Sequence, residues 1–186
     1  MHYIVAGLKR IHTLIHMIFL KILYGKQFKF LWGGVIDYSS HVVIQDKGRI
    51  CIGRKIGVRR RCEFSVSEEG IIEIGERVFF NNNCMVVAHN HIKIGDRTRF
   101  GPNVLIFDHD YEYKDRESFL SGRHNTSSIM IGKNCWIGAG TIILRGTVIG
   151  DDCVIGAGCV IKGKYPKGSL VVQKREERVS DIREDK

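Results

Sequence analysis

The stretch IGKNCWIGAGTIILRGTVIGDDCVIGAGCVIKGKYPKGSLVV, residues 131–172, places an aliphatic side chain at every sixth position at its start and through most of its length. Ile131, Ile137, Ile143, Ile149, Ile155 and Ile161 keep strict register, and glycine follows four of them directly, at Gly132, Gly138, Gly150 and Gly156. Four residues after an aliphatic comes something small: Cys135, Thr141, Thr147, Cys153 or Cys159. Neither the 3.6 period of a helix nor the period of two of a strand generates a strict six. Three such units fit one triangular coil of three short strands, about 18 residues long. Stacked coils bury the aliphatics in a central column, and glycine permits the tight corners.

The register runs backward with interruptions through Ile94, Phe100 and Ile106, then Ile74, Phe80 and Val86, then Ile52, Val58 and Phe64. This is the hexapeptide pattern of a parallel β-helix, an all-β solenoid that is left-handed in known examples with this repeat. The expected layout is a basic amphipathic helical segment over 1–33, a left-handed β-helix over 34–165 with an external loop at 108–128, and a short charged tail over 166–186. Five of the six cysteines fall at the small inward position, Cys51 being the exception, so they read as reduced core residues rather than as disulfides.

Composition removes several classes. The chain has 186 residues, 44% hydrophobic and 26% charged, which suits one folded domain. No apolar run approaches the roughly 18–20 residues of a membrane span, and the charge-interrupted N-terminus leads into no secretory cleavage site. Lysine plus arginine total 29 against 20 acids, a net charge of +9, so an anionic partner is expected. No nucleic-acid-binding module accompanies that charge, and nucleic acid is not expected as a partner.

The interruptions mark where function attaches, since insertions in repeat proteins emerge as loops. Ile106 and Ile131 are 25 residues apart, and the excursion between them carries DHDYEYKDRE. Val86 to Ile94 holds two extra residues within AHNH. Before residue 34, Lys9, Arg10, Lys21, Lys26 and Lys29 occur without a single acid. Ile4, Leu8, Ile11, Ile15, Ile18 and Ile22 recur at helical spacing there. That helix either packs on the coil end or a trimer, or makes peripheral membrane contact through residues 1–24.

Residues 131–172 resemble the C-terminal coils of the hexapeptide acyltransferases, in particular the maltose/galactoside O-acetyltransferases and their relatives from capsule and lipopolysaccharide gene clusters. FFNNNC (79–84) and IGDRTRFGPNVLIFDHDY (94–111) resemble that group's active-site coils. The resemblance implies an acetyl-CoA-dependent O-acetyltransferase acting on a saccharide, a cytoplasmic homotrimer with a peripheral position at the inner membrane face as an option. It implies His109 as the general base, a role imidazole fills near neutral pH. It also implies Asn83 at the acceptor or the histidine, with Asp108 or Asp110 beside it. Trp136, Ala139, Ala157 and Lys162 fall on acyl-CoA positions. The tail VVQKREERV departs from the family pattern, leaving Lys174 and Arg175 to contact phosphates.

Alternatives within the fold are N-acetylation of an amino sugar and a xenobiotic acetyltransferase. A non-catalytic scaffold and a zinc hydratase like the gamma-type carbonic anhydrases are the others. His89, His91, His109 and His124 raise the zinc reading, but that family pairs two histidines five residues apart, a spacing absent near His109. No metal requirement is expected.

Overall fold

The computed structural model describes residues 2–174. Behind an N-terminal helix, α1 (His2–Tyr24), the chain winds into a parallel β-solenoid of about six turns. Two seven-stranded sheets and one six-stranded sheet form its sides. Side A starts at Phe28–Phe30, side B at Val35–Ile36 and side C at His41–Ile44. Strand pairing therefore reaches beyond the expected 34–165 at both ends: Phe28 pairs with Ile50, and Ile155 with Val171.

Alternation drives the interior. Arg49–Ile52 buries Ile50 and Ile52, and Glu63–Val66 buries Phe64 and Val66. All six isoleucines of the 131–161 register are buried. Phe64, Phe80 and Phe100 rise through the column on successive rungs, Phe80 and Phe100 stacked with ring centroids 4.6 Å apart. Gly138 illustrates how closely the corners approach, because a Cβ there would lie 2.4 Å from the Ala157 nitrogen of the next rung. All six cysteines are free; Cys51 is half-buried and the others buried.

The rungs are not all 18 residues long. Phe28 pairs with Ile50 and Ile50 with Ile72, 22 residues on each time. Ile72 pairs with Ile92 after 20, Met130 with Val148 after 18, and Val148 with Lys164 after 16. The early rungs are longer because their strands on sides A and C run to four residues rather than two.

Helix α1 covers the first rung with Thr13, Met17 and Leu20. The Thr13 hydroxyl accepts from Ile36 N at 3.0 Å and lies 3.2 Å from Ile36 O, satisfying the main chain at that edge. The isoleucine spacing read from the sequence marks a different face. Leu8, Ile11, Ile15, Ile18, Phe19, Ile22 and Leu23 point outward, Ile22 with 78% of its surface exposed. Leu31 and Trp32 of the first rung are also exposed. No helix among the described residues is long and apolar enough to cross a membrane.

Candidate active site

The excursion after Phe107 is a built hairpin. His109–Tyr111 runs antiparallel to His124–Thr126, with His109 opposite Thr126 and Tyr111 opposite His124. A short helix, α2 (Arg116–Leu120), closes its tip, and the Asp115 side chain caps it by accepting from Ser118 N at 2.8 Å. Ser127 N donates to Asp108 O at 2.8 Å, joining the two ends of the hairpin. Arg145 Nε donates to Asp110 Oδ2 at 2.6 Å and Asn90 Nδ2 to Thr126 Oγ1 at 3.3 Å, tying the hairpin to the solenoid.

Asp108 is fully buried at the root of the hairpin. Its Oδ1 accepts from His89 N and its Oδ2 from Asn90 N, both at 2.8 Å. Oδ1 also lies 3.3 Å from His109 Nδ1. The carboxylate therefore holds the imidazole through Nδ1 and leaves Nε2 as the nitrogen available for proton transfer. Asp108, expected beside His109 as an orienting or acceptor-binding carboxylate, has no surface exposed and both oxygens occupied by main-chain N–H groups, an arrangement that suits orientation of the imidazole. Asp110, paired with Arg145, anchors the hairpin.

Around His109 the structure gathers two more histidines. Ring centroids of His89 and His109 are 3.9 Å apart, those of His89 and His124 4.5 Å, and those of His109 and His124 5.1 Å. The three side chains keep only 14–17% of their surface. Glu68 Oε1 lies 3.2 Å from His89 Nδ1 and 3.9 Å from His124 Nδ1. Desolvation, with His89 and His109 adding to it, pushes the His124 pKa below the ordinary histidine value. The sequence offered these three, with His91, as a zinc set, and their spacing set that reading aside. The usable signal was that His89, His109 and His124 all sit at breaks in the six-residue register. His91 does not join them, its Nε2 lying 3.4 Å from Glu73 Oε2.

Asn83 lies elsewhere. It occupies the corner between sides B and C with φ of 60°, at the opposite end of the Met85–Ala88 strand from His89. Its Oδ1 accepts from Arg61 Nε and its Nδ2 donates to Asn103 Oδ1, both at 2.9 Å, in a side-chain ladder along that corner. Within one chain it is not brought to His109.

Trp136 projects from side B, 59% exposed, with Arg99 and Val154 as its strand neighbours. Ala139 and Ala157 stack at the B–C corner on successive rungs, and Ala139 O accepts from Gly158 N at 2.7 Å. Lys162 and Lys174 are exposed, and Arg175 lies outside the described residues. A groove of about 590 Å³ is at the A–B corner beside Lys29, Glu73, Lys93 and Lys133, away from the histidines at the C–A corner.

The model of the bacterial transferase hexapeptide family, six repeats, matches residues 128–163. That match covers about one fifth of the chain. Nodulation protein L from Rhizobium leguminosarum bv. viciae is 33% identical over 121 residues, 65% of this chain and 61% of that protein. The match thus spans about three-fifths of the relative's length. A maltose O-acetyltransferase from Clostridium difficile 630 is 28% identical, covering 82% of this chain and 72% of that one with a TM-score of 0.54. AntD, an N-acyltransferase from Bacillus cereus solved with dTDP and 3-hydroxybutyryl-CoA, is 17% identical. It covers 88% of this chain and 89% of its own with a TM-score of 0.66, a likeness of fold.

Proposed function

We propose that this hexapeptide-repeat protein is an acetyl-CoA-dependent O-acetyltransferase that modifies a saccharide hydroxyl in bacterial surface-polysaccharide assembly. The observation that carries the reading is the buried Asp108 carboxylate 3.3 Å from His109 Nδ1. The maltose O-acetyltransferase likeness supports the reaction type, and the CoA thioester in the AntD structure supports the donor.

Transfer runs directly within a ternary complex. His109 Nε2 takes the acceptor's hydroxyl proton as that oxygen attacks the thioester carbonyl carbon. The carbon–sulfur bond breaks, the acetyl group passes to oxygen, and the proton reaches the departing sulfur to give free CoA. The Ala139 N–H stabilises the developing oxyanion, and Ala157 contacts the pantetheine arm. Trp136 packs along the same arm. Lys162, Lys174 and Arg175 are assigned to CoA phosphates. In a homotrimer Asn83 and Trp136 of one subunit meet the histidine cluster of another, which accounts for their separation within a single chain.

The test is CoA release from acetyl-CoA with a panel of saccharide acceptors, beside calorimetric titration with acetyl-CoA. His109→Ala should lower turnover by roughly 10²–10⁴-fold while acetyl-CoA binding stays near that of the native protein. Unchanged turnover would remove His109 from the mechanism, and absence of acetyl-CoA binding would remove the donor.

A further inference from the structure

We propose that His89, His109 and His124 form a binding site for a divalent transition-metal ion of the zinc type, and that the ion switches acyl transfer off. The nitrogens that could ligate lie within 4.8 Å of one another. They come from three places the fold holds independently: the C–A corner for His89, and the two strands of the hairpin for His109 and His124. On the hairpin His109 and His124 are diagonal neighbours, a relation that puts both side chains on one face.

The donor set suits the ion. Imidazole nitrogen is a preferred ligand of zinc, copper and nickel, and three of them leave one tetrahedral position open. The carboxylates stand where outer partners of a metal-bound histidine belong. Glu68 faces Nδ1 of both His89 and His124, and Asp108 faces Nδ1 of His109. We assign the three Nε2 atoms as the ligand atoms: hydrogen-bond contacts to carboxylates at Nδ1 orient the rings of His89 and His109, while Glu68 stands 3.9 Å from His124 Nδ1 as a neighbouring charge. One contact competes: Ser67 Oγ lies 3.2 Å from His89 Nε2 and would yield to the ion. Zinc–nitrogen bonds near 2.0–2.1 Å place tetrahedral ligands about 3.3 Å apart. The cluster closes to that separation by side-chain rotation, its main chain being held by Asp108 and by the Arg145–Asp110 pair.

A lone pair on His109 Nε2 given to a metal cannot accept a hydroxyl proton. The ion therefore acts as an inhibitor, and the protein transfers best when stripped of it. Binding stands on the histidine geometry alone; the inhibition rests on the role proposed for His109.

The experiment uses the full chain, chelator-treated and dialysed. Zinc chloride is titrated against a chromophoric zinc indicator, and cobalt chloride is added separately to record its visible spectrum. One zinc per chain and an intense tetrahedral cobalt band are expected. Affinity should fall at least tenfold in His124→Gln and in His89→Gln, and roughly tenfold in Glu68→Gln as an outer-partner change. Less than one zinc per chain in the native protein, or an affinity that none of these substitutions changes, would overturn the site. Transfer rate should fall along the same zinc curve and return with chelator; a rate indifferent to bound zinc would overturn the inhibition. If metal-free protein transfers nothing to any acceptor, the proposed function fails while the zinc and cobalt titrations still decide the site.

Discussion

Arg145 Nε lies 2.6 Å from Asp110 Oδ2, so a residue between two coils of the solenoid holds the strand that carries His109. The pair is part-exposed and contributes little to overall stability, on the order of 0.2–1 kcal/mol. Its effect is on position. Arg145→Ala should lower turnover roughly tenfold, since small misplacement of a reacting group is costly, while the melting temperature moves by only a few degrees. Arg145→Lys should recover part of the rate. Steady-state kinetics beside thermal melting checks both; a variant with native turnover would show that the hairpin needs no such tie.

Asp108→Asn separates orientation from packing. An amide keeps the shape but offers an NH₂ toward one of the two N–H groups, of His89 and Asn90, that the carboxylate now satisfies. The mismatch should cost about 1–3 kcal/mol in urea unfolding. Turnover should drop roughly a hundredfold or more through loss of the His109 orientation, with acetyl-CoA affinity retained in calorimetry. Equal losses in affinity and turnover would instead indicate general collapse of the site.

Acid should loosen α1. Burial, then His12 on the same helix and His41 on the coil, push the His16 pKa below the usual 6.5. The folded chain thus holds fewer protons than the unfolded one in the window from 6.5 down to the lowered value, and stability falls as pH drops through it. His16→Gln should flatten that part of the stability curve. Thermal midpoints of both proteins between pH 7.5 and 5 provide the check, and parallel curves would count against His16.

The outward face of α1 gives a membrane prediction. Exposed Ile11, Ile15, Phe19 and Ile22 share the segment with Arg10 and Lys21, and Lys26 and Lys29 follow. An apolar helix face flanked by basic residues is the kind of surface that anionic lipid attracts, and binding there is the expected outcome. In flotation the native chain should rise with anionic vesicles and stay down with neutral ones, and Ile15→Glu with Ile22→Glu should abolish the rise. Recovery of the native chain in the soluble fraction with both vesicle types would end the idea and leave the face to a second copy.

The solenoid was legible because its core positions recur at a spacing no single helix or strand produces, from Ile131 to Ile161 without a break. The longer rungs showed only as interruptions: Ile52 and Ile74, the first members of successive triplets, stand 22 residues apart, but the count does not say that the strands on sides A and C are what lengthened. His109 was visible at the point where the chain leaves the coil. His89 and His124 could be named beside it, but spacing argued against their meeting, because that depends on how the hairpin folds back. The DHDY segment also suggested two interchangeable carboxylates. Only the folded chain distinguishes Asp108, turned inward onto two main-chain N–H groups, from Asp110, turned toward Arg145. Asn83 was matched to the site by motif, yet main-chain geometry puts it at the far corner of side C.

Rungs that shorten from 22 residues to 16 have a consequence for self-association. An open stack of parallel strands offers its end as a template for another chain. Here the perimeter at the last rung is smaller than that at the first, so one molecule cannot simply continue another. The wide end is further closed by α1, whose Thr13 already engages Ile36. The molecule is a stack with a built-in direction, and its geometry resists end-to-end growth into fibres.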